Sequence, residues 1–374
     1  MLSSLLGGLA PGAFLRDYWQ KRPLLIKDAL PGFAGLLDYA EMQTLARHEA
    51  VESRLIQGRG RGWQLTHGPF RKSDFKRLPA TDWTLLIQSL DHWLPEAHAL
   101  LGHFDFIPHA RLDDLMVSYA APGGSVGPHF DSYDVFLLQG TGHRRWQIGA
   151  QTDLDLVDDA PLKILRRFQP EHEWLLGPGD MLYLPPHYAH HGVAEDVCTT
   201  YSIGFRAPSA QELVHAFLVH LQDTLEIEGQ YADPDLRVQS HPAEISRAML
   251  KQVGSMIARI KWDAAEIAQF AGRYLSDPKP NVFFDAPEQA LSLPVFAKQA
   301  ARHGIALDLK TRMLFIGDTF FINGEAYQAT PEETAMLTTL ADRRRLTAPT
   351  GKTLIRSLYA WYQSGWIVID ENHQ

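Results

Sequence analysis

The sequence predicts a mainly β central domain with flanking helices, followed by an α-helical region and a small α+β domain. Between residues 111 and 207, short apolar runs follow one another with Gly and Pro turns between them. Beyond residue 209 the apolar residues change to helical spacing, and beyond residue 281 a hairpin is followed by further helical runs. Closely spaced strands without intervening helices indicate an antiparallel barrel or sandwich.

Length, charge and cysteine content limit the classes of protein to which the chain can belong. A chain of 374 residues is too long for one compact core, so we expect two or three domains. A net charge of -9 gives no general electrostatic case for nucleic acid or anionic membrane. The single cysteine, Cys198, has no partner for an internal disulfide, and its strand-like surroundings predict that it is buried. No apolar run is long enough to span a membrane, and the N-terminal stretch lacks the basic region of a signal peptide. We therefore expect a cytoplasmic protein.

The segment before the central strands mixes short helices and strands. "FLRDYWQKRPLLIKDAL" predicts a helix that ends near Arg22 and Pro23 and is followed by a strand, because the residue before a proline avoids the helical region. "DWTLLIQSLDHWLPEAHALL" has apolar residues at helical spacing, so we expect a helix there.

Five runs predict the strands of the central domain. Gly140-Thr141-Gly142 predicts a tight connection between the second and third of them. The runs are LMVSYA, DVFLLQ, RRWQIG, WLLGPGDMLYLPP (which contains a turn) and CTTYSIGF.

The helical region begins at a predicted capping box, in which Ser209 caps the helix and Glu212 reaches back to it. A later helix carries an apolar stripe, which consists of Ile267, Phe270, Ala271 and Tyr274. Helices that follow a barrel and carry no reactive residues often serve as a packing or dimer surface.

The C-terminal part follows a linker, "DPKP", at residues 277–280. Asn323-Gly324 is a strong turn signal within the hairpin "MLFIGDTFFINGEAYQA", and helical runs lead to a last strand, "WIVID". This order is that of a winged helix. Residues 281–374 carry 9 Lys and Arg against 10 Asp and Glu, so we expect no direct DNA binding, and we interpret Arg343-Arg344-Arg345 as a solvated helix end.

A possible metal site starts from "GPHFDSYDVF", which places His129 and Asp131 two residues apart. On an extended strand such residues leave the same face, so an imidazole and a carboxylate can meet at one point. Two histidines and one carboxylate form the facial triad of non-haem Fe(II) oxygenases, which leaves three positions open. The segment "LPPHYAHHG" offers three candidates for the other histidine: His187, His190 and His191.

An oxygenase that uses 2-oxoglutarate needs a buried cation for the distal carboxylate of that acid. Arg144 has the same strand parity as Trp146 and Ile148, which is an interior-type set, whereas Arg145 alternates with Gln147 and faces solvent. We therefore expect Arg144 to bind the co-substrate.

Further candidates lie on the strand before the Gly-rich loop and beside the metal pair. Asp114, Met116 and Ser118 share one strand face, so a hydroxyl for the co-substrate at Ser118 would place the other two at the mouth of the site. A carboxylate at Asp114 would suit a cationic substrate side chain. Tyr133 has the parity of the metal pair, and its ring could form a wall of the substrate channel.

Taken together, these motifs resemble the JmjC-type 2-oxoglutarate oxygenases, and closely their bacterial ribosomal-oxygenase branch. The resemblance extends over most of the chain and is most specific in three segments: "DDLMVSYAAPGGSVGPHFDSYDVFLLQGTGHRRWQIG", "LGPGDMLYLPPHYAHHGVA" and "YSIGFRAPS".

The resemblance implies a double-stranded β-helix, a helical dimerisation region and a winged-helix-like domain. The corresponding expected ranges are 1–208, 209–276 and 281–374. It also implies a homodimer that uses Fe(II), 2-oxoglutarate and O2.

The family pattern assigns individual roles as well. It implies that His129, Asp131 and His190 bind iron, because the distal histidine stands two places before a glycine. It implies that Arg144 and Ser118 bind 2-oxoglutarate. Because His187 and His191 flank the distal position, three histidines remain possible there.

The bacterial branch hydroxylates an arginine of ribosomal protein sixteen of the large subunit. An acidic entrance at Asp114, with Met116 and Tyr133 beside it, suits a guanidinium better than an imidazole. The alternatives are a ribosomal-protein histidine hydroxylase, a histone demethylase, a zinc hydrolase and a non-enzymatic cupin-like binding protein.

Overall fold

The computed structural model describes residues 5–58 and 62–370. The first four residues of the N-terminal lead-in segment lie outside this range. Two compact units meet in sequence at Ala207 and Pro208. Within the described ranges, no helix combines the length and apolarity needed to cross a membrane.

Among its described residues, the first unit contains four short α-helices and eleven strands. The helices are α1 Pro11–Asp17, α2 Tyr39–Leu45, α3 Lys72–Phe75 and α4 Pro95–Leu101. The strands are β1 Leu24–Ile26, β2 Ser53–Gln57, β3 Gln64–His67, β4 Trp83–Ile87, β5 Leu112–Ala120, β6 Val135–Gln139, β7 Arg144–Gly149, β8 His172–Leu176, β9 Met181–Leu184, β10 Ala189–Ala194 and β11 Cys198–Phe205.

The strands form two antiparallel sheets. An eight-stranded sheet has the order β1-β9-β6-β11-β5-β4-β2-β3, and a three-stranded sheet has the order β10-β7-β8. One apolar cluster joins them: it contains Leu137 and Leu182 from the large sheet and Trp146, Ile148 and Leu176 from the small one. The predicted sandwich of antiparallel strands is therefore confirmed.

The other face of the large sheet packs against the N-terminal helices. Leu115, Phe136 and Tyr201 point to this side and share a core with Phe14 of α1. Each aromatic side chain that is fully buried here contributes on the order of 2–3 kcal/mol through the hydrophobic effect. Strand alternation then directs the intervening residues of β5 and β6 toward the small sheet. Cys198, at the start of β11, is buried as expected.

The helix expected in "DWTLLIQSLDHWLPEAHALL" is wrong for its first part. Trp83–Ile87 forms β4, all five residues of which are buried, and it pairs with β2 and β5. Only Pro95–Leu101 is α-helical. A short run that is apolar on both faces satisfies a buried strand as well as a helix, and in this segment pairing with two neighbouring strands decides the outcome.

The second unit begins with three helices, α5 Ala210–Thr224, α6 Arg247–Ile257 and α7 Ala264–Ser276. The Ser209 side chain accepts a hydrogen bond from the Glu212 amide, as predicted. The second half of the predicted capping box is wrong: the Glu212 carboxylate accepts a hydrogen bond from the Tyr274 hydroxyl at 2.7 Å. In the predicted stripe on α7, Phe270 is buried whereas Ile267 is exposed.

The remainder of the second unit is a winged helix, as predicted. Asn323 and Gly324 both have positive φ angles in the turn between the strands Thr319–Ile322 and Glu325–Gln328, the conformation that the sequence predicts there. Its helices are α8 Leu293–His303, α9 Pro331–Arg343 and α10 Lys352–Gln363, and its strands are β12 Ile305–Leu307, β13 Met313–Ile316, β14 Thr319–Ile322, β15 Glu325–Gln328, β16 Arg345–Leu346 and β17 Ile367–Ile369.

The arginine cluster after α9 is only partly solvated. Arg344 donates hydrogen bonds to the carbonyls of Asp308 and Thr311, and Arg345 forms an ion pair with Asp370. Two of the three arginines therefore stabilise the C-terminal unit itself, a role that the interpretation as a solvated helix end did not include.

Candidate metal centre

A single β-bridge brings the two histidine-containing segments together. His129 and His190 exchange backbone hydrogen bonds of 2.9 and 2.8 Å, although His129 lies in the irregular segment before β6 and not in a regular strand. Their rings are 4.2 Å apart. The bridge therefore determines which histidine of "LPPHYAHHG" meets the His129–Asp131 pair.

Three side chains converge at this point. One ligand atom from each of His129, Asp131 and His190 lies within 4.8 Å of the others. His190 Nε2 lies 3.6 Å from Asp131 Oδ2. Two imidazoles and one carboxylate in this arrangement fit the facial triad of a non-haem iron site.

Backbone carbonyls orient both imidazoles. His129 Nδ1 lies 2.9 Å from the Gly127 carbonyl oxygen, and His190 Nδ1 lies 2.9 Å from that of Tyr188. Since a carbonyl only accepts, Nδ1 carries the proton in each neutral ring and Nε2 is left with its lone pair. Burial, followed by the charge of His129, lowers the pKa of His190 to about 4, so this ring is neutral as a metal ligand must be.

The two neighbouring histidines occupy different surroundings. His187 is exposed, has a positive φ angle and contacts the ring of Phe130. His191 points to the other face of β10, where it contacts Phe168. Neither belongs to the convergent group that the described residues form.

The burial and hydrogen bonding of Arg144 indicate whether the site fits 2-oxoglutarate. Its side chain is 97% buried, on the same face of β7 as Trp146 and Ile148, whereas Arg145 forms exposed ion pairs with two glutamates. Arg144 Nε and Nη2 have no hydrogen-bond partner among the described residues. A buried cation with unpaired donors needs an anion, and the distal carboxylate of 2-oxoglutarate would fit this requirement.

Trp146 and Ser118 add polar groups to the same interior. Trp146 Nε1 is buried and has no hydrogen-bond partner in the part of the chain that the structure describes. Ser118 is buried on β5, where its hydroxyl makes a long hydrogen bond of 3.4 Å to the Thr200 carbonyl. The residues present therefore fit a small, polar, anionic co-substrate.

The three predicted substrate residues also lie near one another. Asp114 is buried, and its Oδ2 accepts hydrogen bonds from Gln88 and Ser89. Met116 Sδ lies 3.7 Å from Arg54 Nη2. Tyr133 has an exposed ring, but burial of its hydroxyl and then the charges of Asp131 and Asp114 raise its pKa, so the hydroxyl stays protonated.

Sequence reasoning missed several of these neighbours. Gln88 and Ser89 directly follow β4, in the segment where a helix was expected, and Arg54 lies on β2, where no site residue was predicted. Strand parity had placed Trp146 beside Arg144, but only the structure shows that its indole N–H is buried without a partner.

Comparison with protein families gives matches in both units. Residues 99–213 match the JmjC domain, and residues 259–367 match a ROXA-like winged helix. A model of the AraC-like ligand binding domain matches residues 168–268.

Comparison with individual proteins gives two bacterial relatives. The chain is 36% identical to the ribosomal protein uL16 3-hydroxylase of Escherichia coli, over 90% of this chain and 89% of that protein. It is 41% identical to a probable ribosomal oxygenase of Haemophilus influenzae, over 62% of this chain and 56% of that protein.

A solved structure is similar over nearly the whole length. The Escherichia coli ribosomal oxygenase YcfD, in complex with cobalt and 2-oxoglutarate, has a TM-score of 0.83 and 33% sequence identity. The match covers 96% of this chain and 98% of that structure.

Proposed function

The chain belongs to the JmjC-type 2-oxoglutarate oxygenases, in their ribosomal-oxygenase branch, and we propose that it hydroxylates an arginine side chain of a large-subunit ribosomal protein. It is a 2-oxoglutarate-dependent dioxygenase that uses Fe(II) and O2. The observation that carries the proposed substrate is the buried carboxylate of Asp114, which lies near Tyr133.

We propose His129, Asp131 and His190 as the iron ligands. Their convergence and the Nδ1 contacts of both imidazoles support this assignment, because fixed rings present Nε2 to one point without further ordering. Asp131 brings a negative charge that favours a divalent cation.

We propose that Arg144 and Ser118 bind 2-oxoglutarate. The unpaired donors of Arg144 would hold its distal carboxylate inside the sandwich, where water does not compete. When bound, iron and 2-oxoglutarate supply the oxidising chemistry: O2 is consumed, 2-oxoglutarate becomes succinate and CO2, and one oxygen atom enters a C–H bond of the substrate.

We propose that Asp114, Met116 and Tyr133 hold the substrate side chain. A guanidinium is planar and always charged, so it suits a buried carboxylate beside an aromatic ring. The thioether of Met116 provides an apolar contact for the methylene groups. An imidazole is neutral for much of the physiological pH range and would neutralise Asp114 only in part.

The relative named as a uL16 3-hydroxylase supports a ribosomal substrate. We therefore propose a large-subunit protein with an arginine-containing loop as the partner, and the cytoplasm, where such proteins are made, as the location. A ribosomal-protein histidine hydroxylase is the competing function, whereas a non-enzymatic cupin-like protein does not agree with membership of the dioxygenase family.

We also propose that the protein is a homodimer. Helices α5 and α6 expose large apolar side chains that would otherwise contact water. These are Val214, Leu218 and Val219 on α5 and Met249, Leu250, Val253 and Ile257 on α6. A second copy of this chain offers the same apolar surface and would cover them.

The function is tested by incubating the protein with Fe(II), 2-oxoglutarate and a peptide that carries the arginine loop of uL16. Mass spectrometry should show the gain of one oxygen atom on the arginine, together with succinate. Hydroxylation of a histidine peptide instead would favour the competing function, and an arginine that stays unmodified in every ribosomal peptide would contradict the proposed substrate.

Two neighbouring carboxylates provide a matched pair of variants for this assay. Asp114→Asn should raise the KM for the peptide, because the buried charge is lost. Asp113→Asn should not, because Asp113 forms a partly exposed ion pair with Arg206. Equal KM values in the two variants would contradict the role proposed for Asp114.

A further inference from the structure

The Asp114 carboxylate is held on one side by the segment that follows β4. Gln88 Nε2 donates a hydrogen bond to Asp114 Oδ2 at 2.7 Å, and Ser89 Oγ donates to the same oxygen at 2.8 Å. Hydrogen bonds to a charged acceptor are roughly twice as strong as neutral ones. Two donors on one oxygen therefore restrain rotation of the carboxylate inside the site.

The backbone of this segment is shaped to present both side chains. Ser89 lies two residues after the end of β4, has a φ angle of +50° and directly precedes a 3-10 turn at Leu90–His92. Within this turn, Asp91 accepts a hydrogen bond from the Leu115 amide of β5 at 2.9 Å. The turn is thus attached to β5 at Leu115, directly beside Asp114, which keeps Gln88 and Ser89 within hydrogen-bond distance of the carboxylate.

Arg54 determines which way the Gln88 amide points. Arg54 Nη2 donates a hydrogen bond to Gln88 Oε1 at 2.9 Å, so the amide nitrogen has to face Asp114. A flipped amide would place its oxygen against the carboxylate and its NH2 group against a guanidinium, and both contacts would be repulsive. Arg54 therefore acts on Asp114 through Gln88.

The second oxygen of Asp114 lies toward Tyr133. Asp114 Oδ1 lies 3.7 Å from the place where a Cβ atom on Gly204 would stand, and Tyr133 Cε2 lies 3.8 Å from the same place. Because like charges repel, Arg54 disfavours a second cation on the Gln88 side, so a substrate cation would approach the carboxylate from the Tyr133 side.

We propose that Gln88 and Ser89 are positioning residues that fix Asp114 for the substrate cation, and that Arg54 holds the Gln88 amide in the orientation in which its nitrogen faces Asp114. The inference rests on the proposed arginine hydroxylation, because it concerns how that side chain is recognised. These three residues lie outside the metal and co-substrate sites. Gln88 and Ser89 act through Asp114, and Arg54 acts through Gln88.

The test compares Gln88→Met and Ser89→Gly with the wild-type protein in peptide hydroxylation. Methionine keeps the length of Gln88, and glycine accepts the positive φ angle of Ser89, so both variants should fold. Each should raise the KM for the peptide about tenfold and leave kcat within about twofold, since a charge-assisted hydrogen bond is removed. Gln147→Ala is the matched control, because Gln147 binds an exposed glutamate on the outer face of β7.

Arg54→Met tests the connection through Gln88. Alone it should raise the KM for the peptide, but in the Gln88→Met background it should add little, because its partner is already absent. Succinate formed without peptide, and binding of 2-oxoglutarate, should stay at wild-type levels in every variant; these readouts verify that the iron site is intact.

The outcomes separate this inference from the proposed function. If the wild-type protein does not hydroxylate an arginine, the proposed function fails first. If it does, and Gln88→Met and Ser89→Gly keep the wild-type KM, the positioning role is overturned while arginine hydroxylation stands. A parallel loss of kcat and 2-oxoglutarate binding would also overturn it, because it would show a general structural role.

Discussion

The three histidines of "LPPHYAHHG" differ in surroundings, although they stand within five residues of one another. His190 lies at the β-bridge to His129, whereas His187 is exposed and His191 faces the opposite side of β10. At the scale of the residue, therefore, strand pairing separates one candidate ligand from two neighbours of the same chemistry.

We expect His190→Ala to weaken Mn(II) or Co(II) binding by more than about a hundredfold, because loss of an outer-shell partner alone already costs ten- to a hundredfold. His191→Ala and His187→Gly should bind metal nearly as well as the wild-type protein. Glycine is chosen at His187 because of the positive φ angle there. Isothermal titration of the apoprotein measures all three, and a loss in His191→Ala that equals the loss in His190→Ala would contradict the assignment.

The sequence alone predicts part of this site. The i, i+2 spacing of His129 and Asp131 leads to two side chains that converge with His190, and the strand parity of Arg144 leads to a side chain that the structure buries. The third ligand could not be chosen from residue types alone, because all three histidines satisfy the pattern. The Gln88 and Ser89 contacts to Asp114 depend on the β4–β5 pairing, which no local pattern contains.

At the scale of the element, the packing of α7 against β14 is unusually close. A Cβ atom on Gly272 would stand 2.3 Å from the ring of Phe321, so the helix can approach the strand only with glycine at this position. Local propensity disfavours glycine within a helix, and here tertiary packing outweighs that preference.

Gly272→Ala should lower the free energy of unfolding by about 1–3 kcal/mol, because the strain of overpacking exceeds the gain in helix propensity. Gly12→Ala is the control: Gly12 lies in α1 with no atom within 4 Å of the added Cβ, so this change should be neutral or stabilise by up to about 1 kcal/mol. Urea unfolding followed by tryptophan fluorescence measures both. Equal changes in the free energy of unfolding would contradict the prediction for Gly272→Ala, because they would show that α7 shifts to accommodate the added methyl group.

Elements with a clear apolar periodicity or a turn signal were predicted correctly, whereas strand β4 was not. The turn at Asn323 and Gly324 and the strands on both sides of Gly140-Thr141-Gly142 follow from local chemistry. Trp83–Ile87 has apolar residues on both faces, so its strand is specified by the neighbours with which it pairs. Burial alone does not explain the difference, because all five residues of β6 are buried as well. The adjacent Gly-Thr-Gly turn delimits β6 in the sequence, whereas β4 is specified by its distant partners β2 and β5.

At the scale of the whole molecule, contacts between distant parts of the sequence complete the catalytic unit. β1 pairs with β9 at the edge of the large sheet, and the backbone amide of Gln20 donates a hydrogen bond of 2.7 Å to the Tyr183 hydroxyl. The same hydroxyl donates to the buried carboxylate of Asp134, which directly follows Tyr133. The N-terminal elements thus support the loop that carries the proposed substrate residue, a connection that short motifs do not reveal.

The proposed homodimer gives a prediction at this scale. Leu250→Lys combined with Ile257→Lys places two charges on the exposed apolar face of α6, where they remain solvated in a monomer. In a dimer interface the same charges would lose water without gaining partners, at a cost of several kcal/mol. Light scattering after size exclusion should therefore show a dimer for the wild-type protein and a monomer for the double variant.

Leu175→Lys is the control for this experiment, because Leu175 is also a large exposed apolar residue but lies on β8 of the first unit. It should leave the dimer intact. Circular dichroism should show the same helix content in all three proteins, since the α6 substitutions are on its exposed face. A wild-type protein that is monomeric at micromolar concentration, or a double variant that remains dimeric, would contradict a dimer formed through these helices.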